Sequence, residues 1–154
     1  MGSSLDRLLA ELGANIGLPG LAFDDSGCCW LAIDDRPVEI ERMTDGAALF
    51  LTCIVGELPG SGRETAMGRL LDANFLFKGT QGATLAVPLG SDVVVLFYRA
   101  AAAGLGLVEL RQMLENFTAA GEHARTLLAP GSEPASAPVT TSWSSREPVI
   151  IIRG

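Results

Sequence analysis

The chain is poor in residues that carry out chemistry. It has one histidine, His123, and three cysteines in 154 residues. Histidine is the commonest general acid or base near neutral pH, but His123 falls near the solvent side of a helical stretch and reads as a solvated surface residue. Three cysteines make an odd count, and Cys28 and Cys29 are adjacent, so on a strand they point to opposite faces. Reduced packing residues are the reading that follows, and neither a disulfide framework nor a zinc site is supported. Asp24-Asp25 and Asp34-Asp35 each sit at a turn, where Asp is favoured for its local backbone hydrogen bonds. They lack the ordered oxygen spacing of a calcium loop. Gly60-Ser-Gly62 precedes a helix, yet no Lys-Ser/Thr follows to complete a phosphate cradle. The chain is expected to be no enzyme, with no catalytic, cofactor-binding or metal-binding residue.

Positive charge is scarce as well. Eleven basic residues stand against 18 acidic ones, a formal net charge of -7, which disfavours nucleic-acid phosphates and anionic lipid. The basic residues are scattered and the aromatics lie mostly on apolar runs, so no stacking platform for nucleic acid is formed. No apolar run approaches the ~20 residues that span a bilayer, and Met-Gly-Ser-Ser-Leu-Asp lacks the basic and apolar regions of a secretory leader. A cytoplasmic protein without membrane insertion is expected. The class that remains is binding, and an acidic, apolar-rich protein suits a basic or apolar polypeptide.

What is present fits one domain with a core, over residues 1–129, followed by a tail. Ser3 or Ser4 can cap a first helix in which Leu5, Leu8, Leu9, Leu12 and Ile16 share one face, closed by Pro19-Gly20. Short β-prone runs follow at Leu21–Phe23, Cys28–Ile33 and Pro37–Met43, separated by acidic and glycine-containing turns. That pattern predicts an antiparallel meander with tight hairpins. Leu49–Val55 and Val93–Tyr98 are nearly continuous apolar sequence. Strands apolar on both sides need cover on both faces, and three short helices supply it mainly on one. A second subunit, a bound partner or both are expected on the other.

The centre of the chain is Gly56–Val87. Leu58-Pro59-Gly60 ends the preceding strand, a short helix runs to Asn74, and Thr84–Val87 reads as a strand. Met67, Leu70 and Leu71 form one helical stripe, and Ala66, Ala73 and Gly68 give small-residue faces. The larger stripe can cover the chain's own sheet. The small faces either admit the same helix of a second copy in an isologous contact or are surface filler. A third helix over about Leu107–Leu128 repeats Leu107, Leu110, Leu114, Phe117, Gly121, Ala124 and Leu128 at alternating steps of three and four. Residues 130–147 then form a Pro/Ser-rich linker. The end, 148–154, contains Pro148-Val-Ile-Ile-Ile152. It is either a disordered end that happens to be apolar or a strand that adds to an exposed edge of its own domain or a neighbour's.

Taken in order, these features resemble the class I chaperones of type III secretion systems, the Tir-chaperone family. The likeness rests on the first helix around Leu5–Leu12, on Leu21-Ala-Phe23-Asp24 followed by Cys29-Trp-Leu-Ala-Ile-Asp34, and on Leu49–Val55 followed by Gly56-Glu-Leu-Pro59. It continues through Leu70-Leu-Asp-Ala-Asn74-Phe, Gly82-Ala-Thr-Leu85 and Val93-Val-Val-Leu96 to the last helix. Leu-Leu-x-Ala-Asn after Gly-x-Leu-Pro is the most telling part. The resemblance covers about residues 3–129. It implies an α+β fold, an antiparallel twisted sheet of five to six strands with three helices in the order α-βββ(β)-α-ββ-α, in a homodimer. It implies a bacterial cytosolic protein tied to virulence that holds an extended N-proximal segment of a secreted effector, keeps it soluble and secretion-competent, and has the secretion ATPase as a further partner. Client contacts would fall on Leu8, Leu12, Phe23, Trp30, Ile33, Val38 and Ile40, at least half of them expected to be buried. The dimer contact would use Ala66, Arg69, Leu70 and Ala73. The alternative is a non-catalytic adaptor or regulatory domain of the same fold acting on a folded partner. Residues 130–154 lie outside the resemblance.

Overall fold

The computed structural model describes residues 4–128 and the backbone of Ile151–Ile152. Two apolar stripes at helical spacing place the first and last helices. Helix α1 (Ser4–Asn15) buries Leu5, Leu8, Leu9 and Leu12. Gly13 lets the chain fold back at once, since a Cβ there would lie 2.6 Å from the Leu18 carbonyl oxygen and from the Leu21 Cβ. Helix α3 (Leu107–Leu127) buries Leu110, Leu114, Phe117, Ala120, Gly121 and Ala124. At its start the Glu109 carboxylate accepts a hydrogen bond from the Gly106 N–H at 3.2 Å, satisfying a donor that the first turn leaves without a helical partner.

The strands are β1 (Cys28–Ile33), β2 (Arg36–Arg42), β3 (Ala48–Glu57), β4 (Thr84–Ala86), β5 (Val93–Ala101) and β6 (Ile151–Ile152). They form one sheet in the order β4-β5-β3-β2-β1-β6. β1 to β5 pair antiparallel, and β6 runs parallel to β1. Asp34 and Asp35, with φ of 49° and 62°, make the β1–β2 connection. A two-residue loop with both φ positive matches the twist of the strands it joins.

The run Leu21–Phe23 is not a strand, contrary to its β-prone composition. The Asp24 N–H donates to the Cys28 carbonyl at 2.7 Å, and the Asp24 carboxylate accepts from the N–H groups of Ser26 and Cys28 at 2.8 and 3.0 Å. This loop closes on the start of β1, leaving Leu21 buried and Phe23 half-buried in irregular backbone.

Alternation along the strands sorts the sheet into two faces. Cys29, Ile40 and Leu51 lie in register, as do Leu31 and Val38, and all are buried. The three helices gather over this face: α3 packs on β3 and touches both α1 and α2. The opposite face carries the row Trp30, Glu39, Thr52, Phe97 and Thr84, every member half-buried. No helix of the described residues covers it, as expected for strands apolar on both sides.

Helix α2 (Arg63–Asn74) departs from the expected assignment of its faces at every stripe residue but Leu70. Ala66, Leu70 and Ala73 point inward and are buried, while Met67 and Leu71 are exposed, Leu71 to 68%. Small side chains let α2 approach α3 and β4 closely, and the bulkier stripe is left exposed. The loop after α2 keeps the approach tight: a Cβ on Gly79 would fall 2.9 Å from that of Ala73 and 3.2 Å from the His123 ring.

The last residue of α2 closes one edge of the sheet. The Leu85 N–H donates to the Asn74 side-chain oxygen at 2.8 Å, and the Asn74 amide donates to the Leu85 carbonyl at 3.0 Å. One side chain thus stands in for a neighbouring strand along β4. The other edge is β1 with β6, paired Ala32 to Ile151 and Ile33 to Ile152. The linker over 130–147 lies outside the described residues, as do Pro148, Val149 and Ile150.

Candidate functional site

Beside the β1 edge, helices α1 and α3 part to leave a cleft of about 530 Å³ over the sheet. Its floor is apolar, with Leu12 and Ile16 from α1, Ile33, Val38 and Cys53 from the strands, and Leu114 from α3. Its rim mixes charges, Arg36, Arg111 and Arg125 against Asp34, Glu115 and Glu122. Arg36 and Glu122 form an ion pair across the rim. The Arg111 guanidinium donates to the Asn15 side-chain oxygen at 3.1 Å, joining the two helices. Arg125 donates to the Ile54 carbonyl at 3.3 Å. Burial, and then the neighbouring charge of Arg36, lower its pKa. An apolar floor with a neutralised rim accommodates uncharged side chains without a desolvated lone charge.

The expected client residues separate into four places. Leu12, Ile33 and Val38 meet in this cleft. Leu8 and Ile40 are core, so with Leu12 and Val38 four of the seven are buried. Phe23 sits near the other end of α1, under the Arg42 guanidinium at 5.2 Å from the ring centre. Arg42 in turn pairs with Asp6 at 2.7 Å. Trp30 belongs to the opposite face of the sheet. Sequence reasoning missed the α3 wall and its rim charges, for which Gly121 was the available signal. A mid-helix glycine without a turn to make asks what lies against it, and a Cβ there would meet the Cys53 sulfur at 3.6 Å.

A second surface runs along α2. Met67, Leu71 and Phe75 follow one another at steps of four, and Leu76 and Phe77 continue the patch, exposed to 73% and 53%. Leu76 and Phe77 also hold φ of 55° and 56°, a left-handed conformation that costs bulky residues on the order of 1 kcal/mol each. Of the residues expected at a dimer contact, Arg69 is exposed but sits two positions from Met67 and Leu71, on another face of the helix, beside Ala73. Ala66, Leu70 and Ala73 are already inside the protomer.

The cysteines are set away from reactivity. Burial pushes the thiols of Cys29 and Cys53 up to about 11, and Cys28 up to about 12 through burial and then Glu39. Thiols so raised stay protonated and are poor nucleophiles or ligands. Because the folded state keeps these protons to higher pH than the unfolded chain, their contribution to stability is intact below the ordinary value of 9.0 and fades as pH rises through about 11. The thermal midpoint is expected to fall between those pH values in a melting series, and Cys53→Ala to flatten that fall. An equal slope in both proteins would refute the assignment. Among the described residues no cluster of His, Cys, Asp and Glu could hold a metal ion, and no helix is long and apolar enough to cross a membrane.

Three helices over one face of an open antiparallel sheet is the architecture of type III secretion chaperones. The Yersinia pestis type III secretion chaperone SycH, solved with a fragment of YscM2, is 18% identical with a TM-score of 0.63, over 80% of this chain and 99% of that one. A chain of the HopA1–SchA chaperone–effector complex is 17% identical with a TM-score of 0.66, over 79% and 92%. A chain of the ExsC–ExsE complex is 25% identical with a TM-score of 0.68, over 86% and 96%. No curated protein matches in sequence. The model of the Tir chaperone protein (CesT) family matches residues 7–125, and the chain belongs to that family.

Proposed function

We propose that the protein is a non-catalytic chaperone of a type III secretion system that binds an extended N-proximal segment of a secreted effector. It acts in the bacterial cytoplasm as a homodimer, keeps the segment soluble and secretion-competent, and presents it to the secretion ATPase. The observation that carries this reading is the apolar cleft beside the β1 edge. A strand added to β1 in place of the two-residue β6 gains main-chain hydrogen bonds, and its apolar side chains have a floor of Leu12, Ile33 and Val38 to replace a core. Family membership and the chaperone–effector complex among similar structures support it. The acidic chain, with a net charge of -7, would also keep the loaded complex in solution.

The test is light scattering coupled to size exclusion, on the chain alone and after co-expression with the N-terminal 100 or so residues of an effector encoded beside it, a length chosen to bury an interface well above ~1,000 Å². A dimer carrying one fragment is expected. Ala119→Trp, an exposed substitution on the cleft's α3 wall, fills the cleft at a helix-propensity cost of only about 0.5 kcal/mol. It should weaken fragment binding by roughly a hundredfold, the loss of one buried anchor pocket. A monomer that ignores the fragment, or a protein that binds only a folded partner, would overturn the proposal.

A further inference from the structure

We infer that the C-terminal strand β6 is a resident occupant of the strand-accepting edge, so that an incoming extended segment must displace the chain's own tail. The inference rests on the chaperone reading for what displaces the tail, but not for where the tail sits. Of the two sheet edges, β4 has its outward N–H and carbonyl at Leu85 bonded by Asn74. The edge at β1 is where Ile151–Ile152 pairs, in parallel, with Ala32 and Ile33. Ile33 also lines the cleft, so strand seat and cleft adjoin, and a segment using both meets β6 first.

The energetics suit a displaceable occupant. A parallel ladder is slightly weaker per residue than an antiparallel one, and β6 spans two residues against six in β1. Alone, so short a strand would not hold. Tethered to α3 through residues 129–150, about 20 residues of chain, it is presented at roughly millimolar effective concentration. An incoming strand that follows β1 further, and also inserts side chains into the cleft, gains contacts that β6 does not make. If the edge is occupied by the tail about nine-tenths of the time, the apparent dissociation constant for a competing segment rises about tenfold.

The test compares the full chain, a chain ending at Glu147, and full-length Ile151→Pro, since proline has no N–H and disfavours a paired strand position. The first probe is a synthetic peptide of residues 146–154, titrated to several millimolar into 15N-labelled protein. The Ala32 and Ile33 amide signals are expected to shift on truncation and to return toward their full-length positions with peptide. The full chain should respond at least tenfold more weakly, and Ile151→Pro should behave as the truncated chain. The second probe is the effector fragment, which should bind the truncated chain about three- to tenfold more tightly. Amide signals indifferent to truncation, or equal peptide response in all three proteins, would overturn the seat. So would Ala32 and Ile33 shifts that vary with protein concentration, which would place the tail on a second copy. Equal fragment affinity would overturn the competition. A fragment that binds none of the three proteins, while the peptide arm succeeds, refutes the chaperone reading and leaves the seat standing.

Discussion

A Leu71→Asp chain is expected to run as a monomer in size exclusion with light scattering, where the native chain is expected to run as the proposed dimer. Leu71 is 68% exposed in the protomer, so the substitution touches little of the core and the monomer should keep its native far-UV spectrum. In an isologous contact each residue occurs twice about the two-fold axis, and one substitution therefore places two carboxylates against the facing apolar stripe. Burying an unpaired carboxylate costs several kcal/mol. Since about 1.4 kcal/mol is tenfold in affinity, the dissociation constant should rise at least a thousandfold. Gly68→Ala, on the same exposed side and with nothing within 4 Å of an added Cβ, serves as a control for helix content. A dimer that survives Leu71→Asp would remove the Met67–Leu71–Phe75 stripe as the interface.

The second large effect is expected at Asn74. Asn74→Ala removes both hydrogen bonds to Leu85 and leaves a partly buried N–H and carbonyl without their partner. At about 1–1.5 kcal/mol per bond lost, the total is roughly 2–3 kcal/mol. For a domain of this size that is a fall in thermal midpoint on the order of 10 °C. Asn74→Asp keeps an acceptor for the Leu85 N–H but sets a carboxylate against the Leu85 carbonyl, and should recover no more than half the loss. Amide exchange at Leu85 should quicken in both variants. The exposed edge should also make Asn74→Ala aggregate at concentrations the native protein tolerates, as unprotected edges do. An unchanged midpoint would show that Asn74 closes nothing.

Much of this architecture was legible because burial leaves a periodic trace. The stripes through Leu5–Leu12 and Leu110–Ala124 placed α1 and α3, and the Asp-rich turns placed the β1–β2 hairpin. In α2 the premise that apolar bulk points inward holds for Leu70 and fails for Met67 and Leu71. In the structure the inward side is set by how near α2 must come to α3 and β4, which selects Ala66 and Ala73, while Met67 and Leu71 stay outside. Leu76 and Phe77 carry no turn signal, since bulky residues are the last expected at positive φ. Their strain, and the exposure they share with Phe75, emerge only from the fold. The cleft was half legible for a similar reason. Leu12, Ile33 and Val38 could be named, but what separates a core position from a lining one is the divergence of α1 and α3, a tertiary property without a local pattern. The role of Asn74 was hidden too, because a side chain that imitates a strand's hydrogen bonds looks like an ordinary turn or cap residue; Asp24, by contrast, makes the local backbone bonds that its turn position leads one to expect.

The position of β1 next to the rim of the sheet, with the two-residue β6 outside it, has a mechanical consequence. A polypeptide drawn away from that rim under load would part from it one hydrogen bond after another, like tape peeled from an end, with no strand of β2, β3 or β5 bearing the force. Under the proposed function, unloading in this way would leave the domain's buried layer intact and the chain fit to be used again.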